Sequence, residues 1–312
     1  MTVYGIHASH EQVHPSALLD AVTMAESAGF AAAMCSDHFS PWSARQGQSA
    51  FAWSWLGAAL ERTSLPFGVV NAPGQRYHPA IIAQAVGTLA AMYPGRFWAA
   101  LGTGEASNEH ITGEPWPRKS VRAARLRECV GVIRALLAGE EVSHDGLVNV
   151  DRARLWTLPE QPPALVGAAV SEETARWCAE WADGLITVSG PQAAAVGRAY
   201  REAGGRGPLR LQVHLSWAPT EQEARRIAHE QWRSNVFAPP VCWDLDTAEL
   251  FDAVSADVSP ARVAEVVHVS ADVHQHAAWL NGYAEQGFDE IYLHHVGQEQ
   301  RPFVEAFTEV VK

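Results

Sequence analysis

Residues 30–42 read Phe-Ala-Ala-Ala-Met-Cys-Ser-Asp-His-Phe-Ser-Pro-Trp. A short apolar run followed at once by polar, titratable residues is the signature of a buried strand that ends at Asp37 and His38. In a closed α/β barrel the C-terminal ends of the strands converge on one mouth, which is the catalytic face. The rest of the chain repeats the same grammar of apolar run then helical stripe, which predicts parallel β/α units. Strands are expected at 4–9, 30–35, 66–71, 96–101, 164–169, 184–188, 209–215 and 290–294. Helical patterns separate them. Leu18, Ala21, Val22, Ala25 and Ala28 share one face before Gly29, and Leu126, Val130, Ile133 and Leu137 form a stripe before Gly139. The fold class expected is therefore an α/β, (β/α)8 TIM barrel, with 1–312 as a single domain. The segment 218–270 is too long for a simple connection and reads as an insertion over the mouth.

Composition narrows the function. The chain has 312 residues, 47% of them hydrophobic, enough for one large core. Its formal charge is −12, and Lys119 and Lys312 are its two lysines, which disfavours nucleic acid and anionic membranes as partners. No apolar stretch approaches the roughly 20 residues needed to span a bilayer, and the first residues lack a signal-peptide pattern. A cytoplasmic protein is expected. Cys35, Cys129, Cys178 and Cys242 show no CxxC spacing and read as reduced thiols.

Four segments fall where strands should open onto the mouth: 7–11, 37–42, 71–77 and 102–109. The last reads Gly-Thr-Gly-Glu-Ala-Ser-Asn-Glu, in which glycines allow close approach of a flat ligand while Glu105 and Asn108 offer a proton and an amide. A Gly-rich turn alone equally describes a tight loop with capping side chains. A lone histidine such as His38 is often structural, but one at a strand end beside an acid is well placed for proton transfer near neutral pH. Trp53, Trp55, Trp177 and Trp181 fall on helical patterns and read as packing, whereas Trp42 can line the mouth.

These pieces together resemble the luciferase-like flavin and deazaflavin oxidoreductases, in particular the branch of the deazaflavin-dependent glucose-6-phosphate dehydrogenases. The matching residues are Ala-Ser-His-Glu-Gln at 8–12, Ser-Asp-His-Phe at 36–39 with Trp42, Arg-Tyr-His-Pro-Ala at 76–80, Pro-Gly-Arg at 94–96, and Gly-Thr-Gly-Glu-Ala at 102–106 with Asn108. The resemblance implies a tricyclic ring at the barrel mouth, either a deazaflavin (coenzyme F420) or FMN, with hydride passing between ring and substrate. It implies that His38 is base or charge stabiliser, Glu105 its proton partner, and that Trp42 and Glu11 shape the pocket. Asp37, Val69, Val70, Asn71, Thr103, Gly104 and Asn108 would meet the ring and its polar tail, and Gly167, Ala168 and Ser171 a phosphate. A homodimer is implied, with the Trp53-Ser54-Trp55 face as a contact.

Two departures limit the analogy. The family's third strand often ends in a bulge with a cis non-proline peptide, and the stretch 68–74 is shorter here. The sugar-phosphate enzymes use late lysines and an arginine, whereas no lysine lies between Lys119 and Lys312. Arg198, Arg201, Arg233 and Arg262 are the arginines that could replace them. The expected substrate is therefore a small alcohol, carbonyl or enone and not glucose 6-phosphate. The competing readings are an FMN-dependent monooxygenase or reductase, a metal-dependent barrel hydrolase using His7, His10, His38, His214, His294 and His295, and a non-catalytic flavin-binding barrel. No metal ligand set is expected, because His7 and His10 should project to opposite sides of their strand.

Overall fold

The computed structural model describes residues 2–312. Its strands are β1 (Val3–Ala8), β2 (Ala32–Ser36), β3 (Phe67–Asn71), β4 (Phe97–Leu101), β5 (Val142–Asp145), β6 (Asn149–Ala153), β7 (Ala164–Ala168), β8 (Leu185–Val188), β9 (Leu209–Trp217), β10 (His268–Ser270) and β11 (Glu290–His295). Eight of these pair in parallel in the order β9, β11, β1, β2, β3, β4, β7, β8, and β8 returns to β9 to close the barrel. This is the (β/α)8 fold. The polar stretch after residue 141 is not a plain loop, because β5 and β6 form a separate antiparallel hairpin.

The helices are α1 (Pro15–Ala28), α2 (Ala52–Arg62), α3 (Pro79–Met92), α4 (Ala106–Glu109), α5 (Lys119–Leu137), α6 (Glu172–Cys178), α7 (Ala193–Glu202), α8 (Glu221–Trp232), α9 (Val241–Asp244), α10 (Ala248–Val254), α11 (Pro260–Val263), α12 (Val273–Glu285) and α13 (Gln300–Ala306). α1 begins with Pro15 in its first turn and ends at Gly29, whose φ of 105° is the left-handed conformation that glycine adopts without strain. The expected insertion is present as α8 to α11, and β10 adds to the C-terminal end of β9.

Strand alternation divides the interior in two. One set of side chains, including Ala33, Cys35, Phe67, Val69 and Ala99, packs outward under the helices. The other set, including Met34, Trp98, Ala100, Val166, Ile186 and Tyr292, fills the lumen. Gly68 sits where an added Cβ would lie 2.0 Å from the Trp98 ring, so the indole occupies the volume that a side chain would need. The lumen's lower layer is polar but closed: Arg210 forms a bidentate pair with Glu290 at 2.7 and 2.8 Å. Its guanidinium stacks on Trp98, and Tyr292 donates its hydroxyl to Glu290.

The register of β3 against β2 and β4 is regular, and the cis peptide among the described residues is Pro239–Pro240, so the bulge considered near Val69 to Asn71 is not formed. Trp53 and Trp55 are 9% and 5% exposed and point inward, leaving Ser54 alone of that trio on the surface. Of the Trp53-Ser54-Trp55 face expected as a dimer contact, the two indoles are therefore packed within the chain.

Candidate active site

His38 leaves the end of β2 and turns its ring toward Glu11, which follows β1. Nδ1 lies 2.6 Å from Glu11 Oε1, and the Ser9 hydroxyl donates to Glu11 Oε2 at 2.7 Å. Both carboxylate oxygens are thus engaged, and the second histidine nitrogen, Nε2, has no hydrogen-bond partner among the described residues. The edge of the Trp42 indole stands 4.6 Å from the imidazole, centroid to centroid. Glu105, ahead of α4, is close enough to His38 for their charges to interact. The four residues expected to do chemistry are brought together.

Their electrostatics are coupled. Burial opposes charge on Glu11, yet the hydrogen bond and charge of His38 overcome it and hold the carboxyl at about 2. Burial likewise lowers the imidazole's affinity for a proton, but the Glu11 hydrogen bond and the charges of Glu11 and Glu105 outweigh it, so the His38 pKa is raised. Glu105 is raised by burial, with His38 and the Trp42 indole opposing. The site therefore holds a carboxyl of lowered pKa, an imidazole whose pKa is raised by that carboxylate, and a second carboxyl of raised pKa.

Several residues expected at the cofactor lie elsewhere. Asp37 is buried on the outward side of β2, where Oδ2 accepts from Trp53 Nε1 at 3.0 Å and Asn71 Nδ2 at 2.8 Å. Oδ1 accepts from the Tyr77 hydroxyl at 3.3 Å. Arg76 donates to the Asp37 carbonyl at 2.6 Å and its Nε lies 3.5 Å from Glu109 Oε1. Asp37 and Asn71 thus anchor the loops that carry His38, and Val69 is packed in the same outer layer. Strand parity carried this signal: residues at odd positions of β2 and β3 face the helices. Asn108 is a tie rather than a free amide, since its Oδ1 accepts from Phe39 N at 2.8 Å and its Nδ2 reaches Glu105 Oε2 at 3.4 Å. Gly167 backs onto α6, where an added Cβ would lie 2.6 Å from Cys178. The Ser171 hydroxyl caps α6 at Thr174 N.

The upper layer of the lumen has two unlike sectors. Beneath His38 it is polar: His7 stacks on His294 with centroids 4.3 Å apart, and His7 Nε2 lies 3.3 Å from Ser36 Oγ. His294 donates from Nε2 to Gln12 Oε1 at 2.8 Å, and Gln212 bridges His294 and His214 at 3.1 Å each. Burial lowers His7 to about 4 and His214 to about 3, so this floor is uncharged at neutral pH. His10, by contrast, projects away and meets the Trp55 ring. Across from the histidines, Val70 and Ala168 belong to the lumen cluster, and Gly102 would bring a Cβ within 3.5 Å of Ala168. Gly104 turns with φ +80°, and a Cβ there would lie 3.2 Å from Ala72 and Glu109. This small-residue sector is a cradle of backbone and short side chains suited to a flat ring. Among the described residues, no three His, Cys, Asp or Glu side chains are gathered so as to hold a metal ion.

The family model of the luciferase-like monooxygenases matches residues 2–290. The chain belongs to that family. It is an enzyme, an oxidoreductase by family. It is 33% identical to the F420-dependent glucose-6-phosphate dehydrogenase of Kribbella flavida over 98% of this chain and 96% of that one. Identity to the enzyme of the same name from Gordonia bronchialis is 31%, over 97% and 94%. An F420-dependent secondary alcohol dehydrogenase, solved with an F420–acetone adduct, superposes with a TM-score of 0.91 at 29% identity, over 99% of this chain and 98% of that one.

The arginines weighed for a phosphate divide on inspection. Arg201 pairs with Asp289, and Arg262 with Glu265, while Arg198 lies on α7 and Arg233 keeps a buried Nε without an acceptor. A cleft of about 620 Å³ on the outer wall, between α5 and the turn after α6, is lined by Arg127, Arg134, Trp181 and Arg206, and Arg127 and Arg134 are paired with Glu180 and Asp183. It is remote from His38 and carries no comparable constellation.

Proposed function

We propose that the chain is a deazaflavin-dependent oxidoreductase that interconverts a small uncharged alcohol and its carbonyl compound. The observation that carries this reading is the pairing of His38 and Glu11 on the polar side of a mouth whose other side is a small-residue cradle. Val70, Gly102, Thr103, Gly104 and Ala168 would hold the ring, and the turn at Gly190 and residues 169–171 would lie near its tail. When bound, the deazaflavin accepts the hydride that leaves the carbinol carbon.

The chain's own residues manage the proton. Glu11 fixes the imidazole through Nδ1, so that Nε2 faces the substrate oxygen. In alcohol oxidation neutral His38 takes the hydroxyl proton through Nε2 as the C=O bond forms. In the reverse direction the imidazolium returns it to the carbonyl oxygen. A base of this kind is typically worth about 10²- to 10⁴-fold in rate. Glu105, coupled to His38 and less deeply set than Glu11, relays the proton toward solvent. The neutral histidine floor excludes water without placing a competing charge beneath the reacting atoms.

Titration of the purified protein with the deazaflavin and with FMN, followed by absorbance, tests the cofactor. Tight binding of the deazaflavin, and its reduction on adding propan-2-ol or butan-2-ol, is the expected result. Selective binding of FMN with oxygen-dependent turnover would replace this reading by a monooxygenase.

A further inference from the structure

Three buried glutamines, Gln12, Gln46 and Gln231, and the exposed Gln298 join the segments around the mouth, and the proton steps leave them unused. Gln46 is fully buried, with an exposure of 0%. Its Oε1 accepts from the backbone N–H of Trp42 at 2.9 Å, and its Nε2 donates to the carbonyl of Gln231 at 3.2 Å. One side chain thus bridges the loop after β2 to the end of α8. Gln231 reaches back to the Arg45 carbonyl at 3.4 Å and accepts from Gln12 at 3.3 Å. Gln12 in turn receives the His294 proton, and Gln298 donates to the Gln46 carbonyl at 3.0 Å.

The two residues next to these anchors are tryptophans. Trp42 and Trp232 meet edge to face with centroids 5.9 Å apart. Trp232 also lies 4.7 Å from His214 and 4.8 Å from His294. Trp232 is 3% exposed and packs in one buried cluster with Val236, Val263 and Val296. An apolar wall of this kind selects by size, and an extra methylene in such a pocket changes kcat/KM by roughly 10- to 200-fold.

We propose that Gln46 is a positioning residue that locks Trp42 against Trp232, so that the wall beside His38 admits only a short-chain, uncharged secondary alcohol or its ketone. This rests on the reading of the site as a deazaflavin-dependent alcohol and carbonyl oxidoreductase. A buried amide with both of its ends engaged holds two loops at fixed distance, and replacing it by an apolar side chain leaves the Trp42 N–H and Gln231 carbonyl without partners. The indoles are then free to part while His38 and Glu11 stay in place.

The test compares wild type, Gln46→Leu and Trp232→Phe at saturating deazaflavin on a series from propan-2-ol to octan-2-ol, with glucose 6-phosphate in the same panel. Deazaflavin affinity and melting temperature are measured in parallel. Wild type is expected to prefer the shortest members. Both variants should move the ratio of kcat/KM for octan-2-ol over butan-2-ol upward by about tenfold or more, mainly through KM, with deazaflavin affinity unchanged. Trp232→Phe keeps an aromatic ring in the core, so it decides the matter if Gln46→Leu does not fold. An equal loss on every substrate would reduce Gln46 to a structural role and overturn the proposal. So would efficient wild-type turnover of octan-2-ol, or of glucose 6-phosphate, for which the unpartnered Arg233 would be the anchor. Wild type without deazaflavin affinity would sink this inference together with the reading beneath it, and affinity without a chain-length shift would sink this inference alone.

Discussion

His38 Nδ1 and Glu11 Oε1 lie 2.6 Å apart, and this contact sets the protonation of both groups in opposite directions. Glu11 is held near 2 although burial opposes its charge, and His38 is raised although burial opposes its charge as well. A base with a raised pKa does its work at higher pH. Alcohol oxidation is therefore expected to rise with pH through a value above the ordinary histidine pKa of about 6.5, while carbonyl reduction by the imidazolium rises as pH falls. Profiles of kcat/KM in the two directions check this, and coincident profiles would contradict it.

Glu11→Gln keeps the shape of the side chain and removes its charge. The support for the His38 proton is lost, so the pH midpoint for oxidation should move downward, with the maximal rate reduced by about 10²-fold or more as the imidazole loses its fixed orientation. Deazaflavin affinity should persist, because the small-residue sector is untouched. A profile with its midpoint unmoved would show that the titrating group is not His38.

Strand periodicity made most of the barrel legible. The expected strands at 66–71 and 96–101 differ from β3 and β4 by one residue at their start, because a short, wholly buried apolar run is a local signal. The hairpin of β5 and β6 was hidden by its polar sequence, whose exposed faces carry no apolar period. At the site, His38, Glu11, Glu105 and Trp42 were readable from their positions after strands. Asp37, Val69 and Asn71 entered through the resemblance, and strand parity, which the resemblance does not weigh, turns their side chains toward the helices. Trp232 and Gln46 were out of reach: their meaning depends on contacts between segments about 185 residues apart.

The lower end of the lumen offers a test of stability separate from activity. Arg210→Met leaves the half-buried Glu290 beside Tyr292 with its charge unpaired, and removing one partner of a buried pair costs about 3–5 kcal/mol, an upper bound here. Replacing Glu290 by Gln in the same chain should recover part of that loss. Denaturant unfolding of the single and double variants measures both, and the deazaflavin affinity of the folded fraction is expected to be unaffected.

Gly68→Ala should be harmful for a steric reason. The new Cβ would lie 2.0 to 2.3 Å from three atoms of the Trp98 indole, which is itself covered by the Arg210 guanidinium. The ring or the backbone must shift to admit the methyl group, so overpacking of about 1–3 kcal/mol is expected. A variant in which Trp98 is also reduced to Leu should regain stability relative to Gly68→Ala alone, and calorimetric melting of the pair would show whether the two residues compete for the same space.

The buried histidines make the fold sensitive to acid. Burial lowers His7 and His10 to about 4 and His214 and His295 to about 3, and it lowers His294 as well, whereas in the unfolded chain each returns to about 6.5. Between these values the unfolded state binds more protons than the folded one, so stability is complete above about pH 6.5 and is lost as pH falls toward 4. His38 runs the other way: its raised pKa contributes stability below about 6.5 that disappears at higher pH, but it is one group against seven, since His268 and His276 are lowered by burial too. Glu11 adds a loss that begins as pH falls below its ordinary value of 4.5 and continues toward about 2. The midpoint of urea unfolding should therefore fall steeply between pH about 6.5 and about 4.5, and His214→Gln should flatten that fall by removing one titrating group. A midpoint independent of pH across this window would mean that the histidine floor takes up protons in the folded state, and that it is open to water.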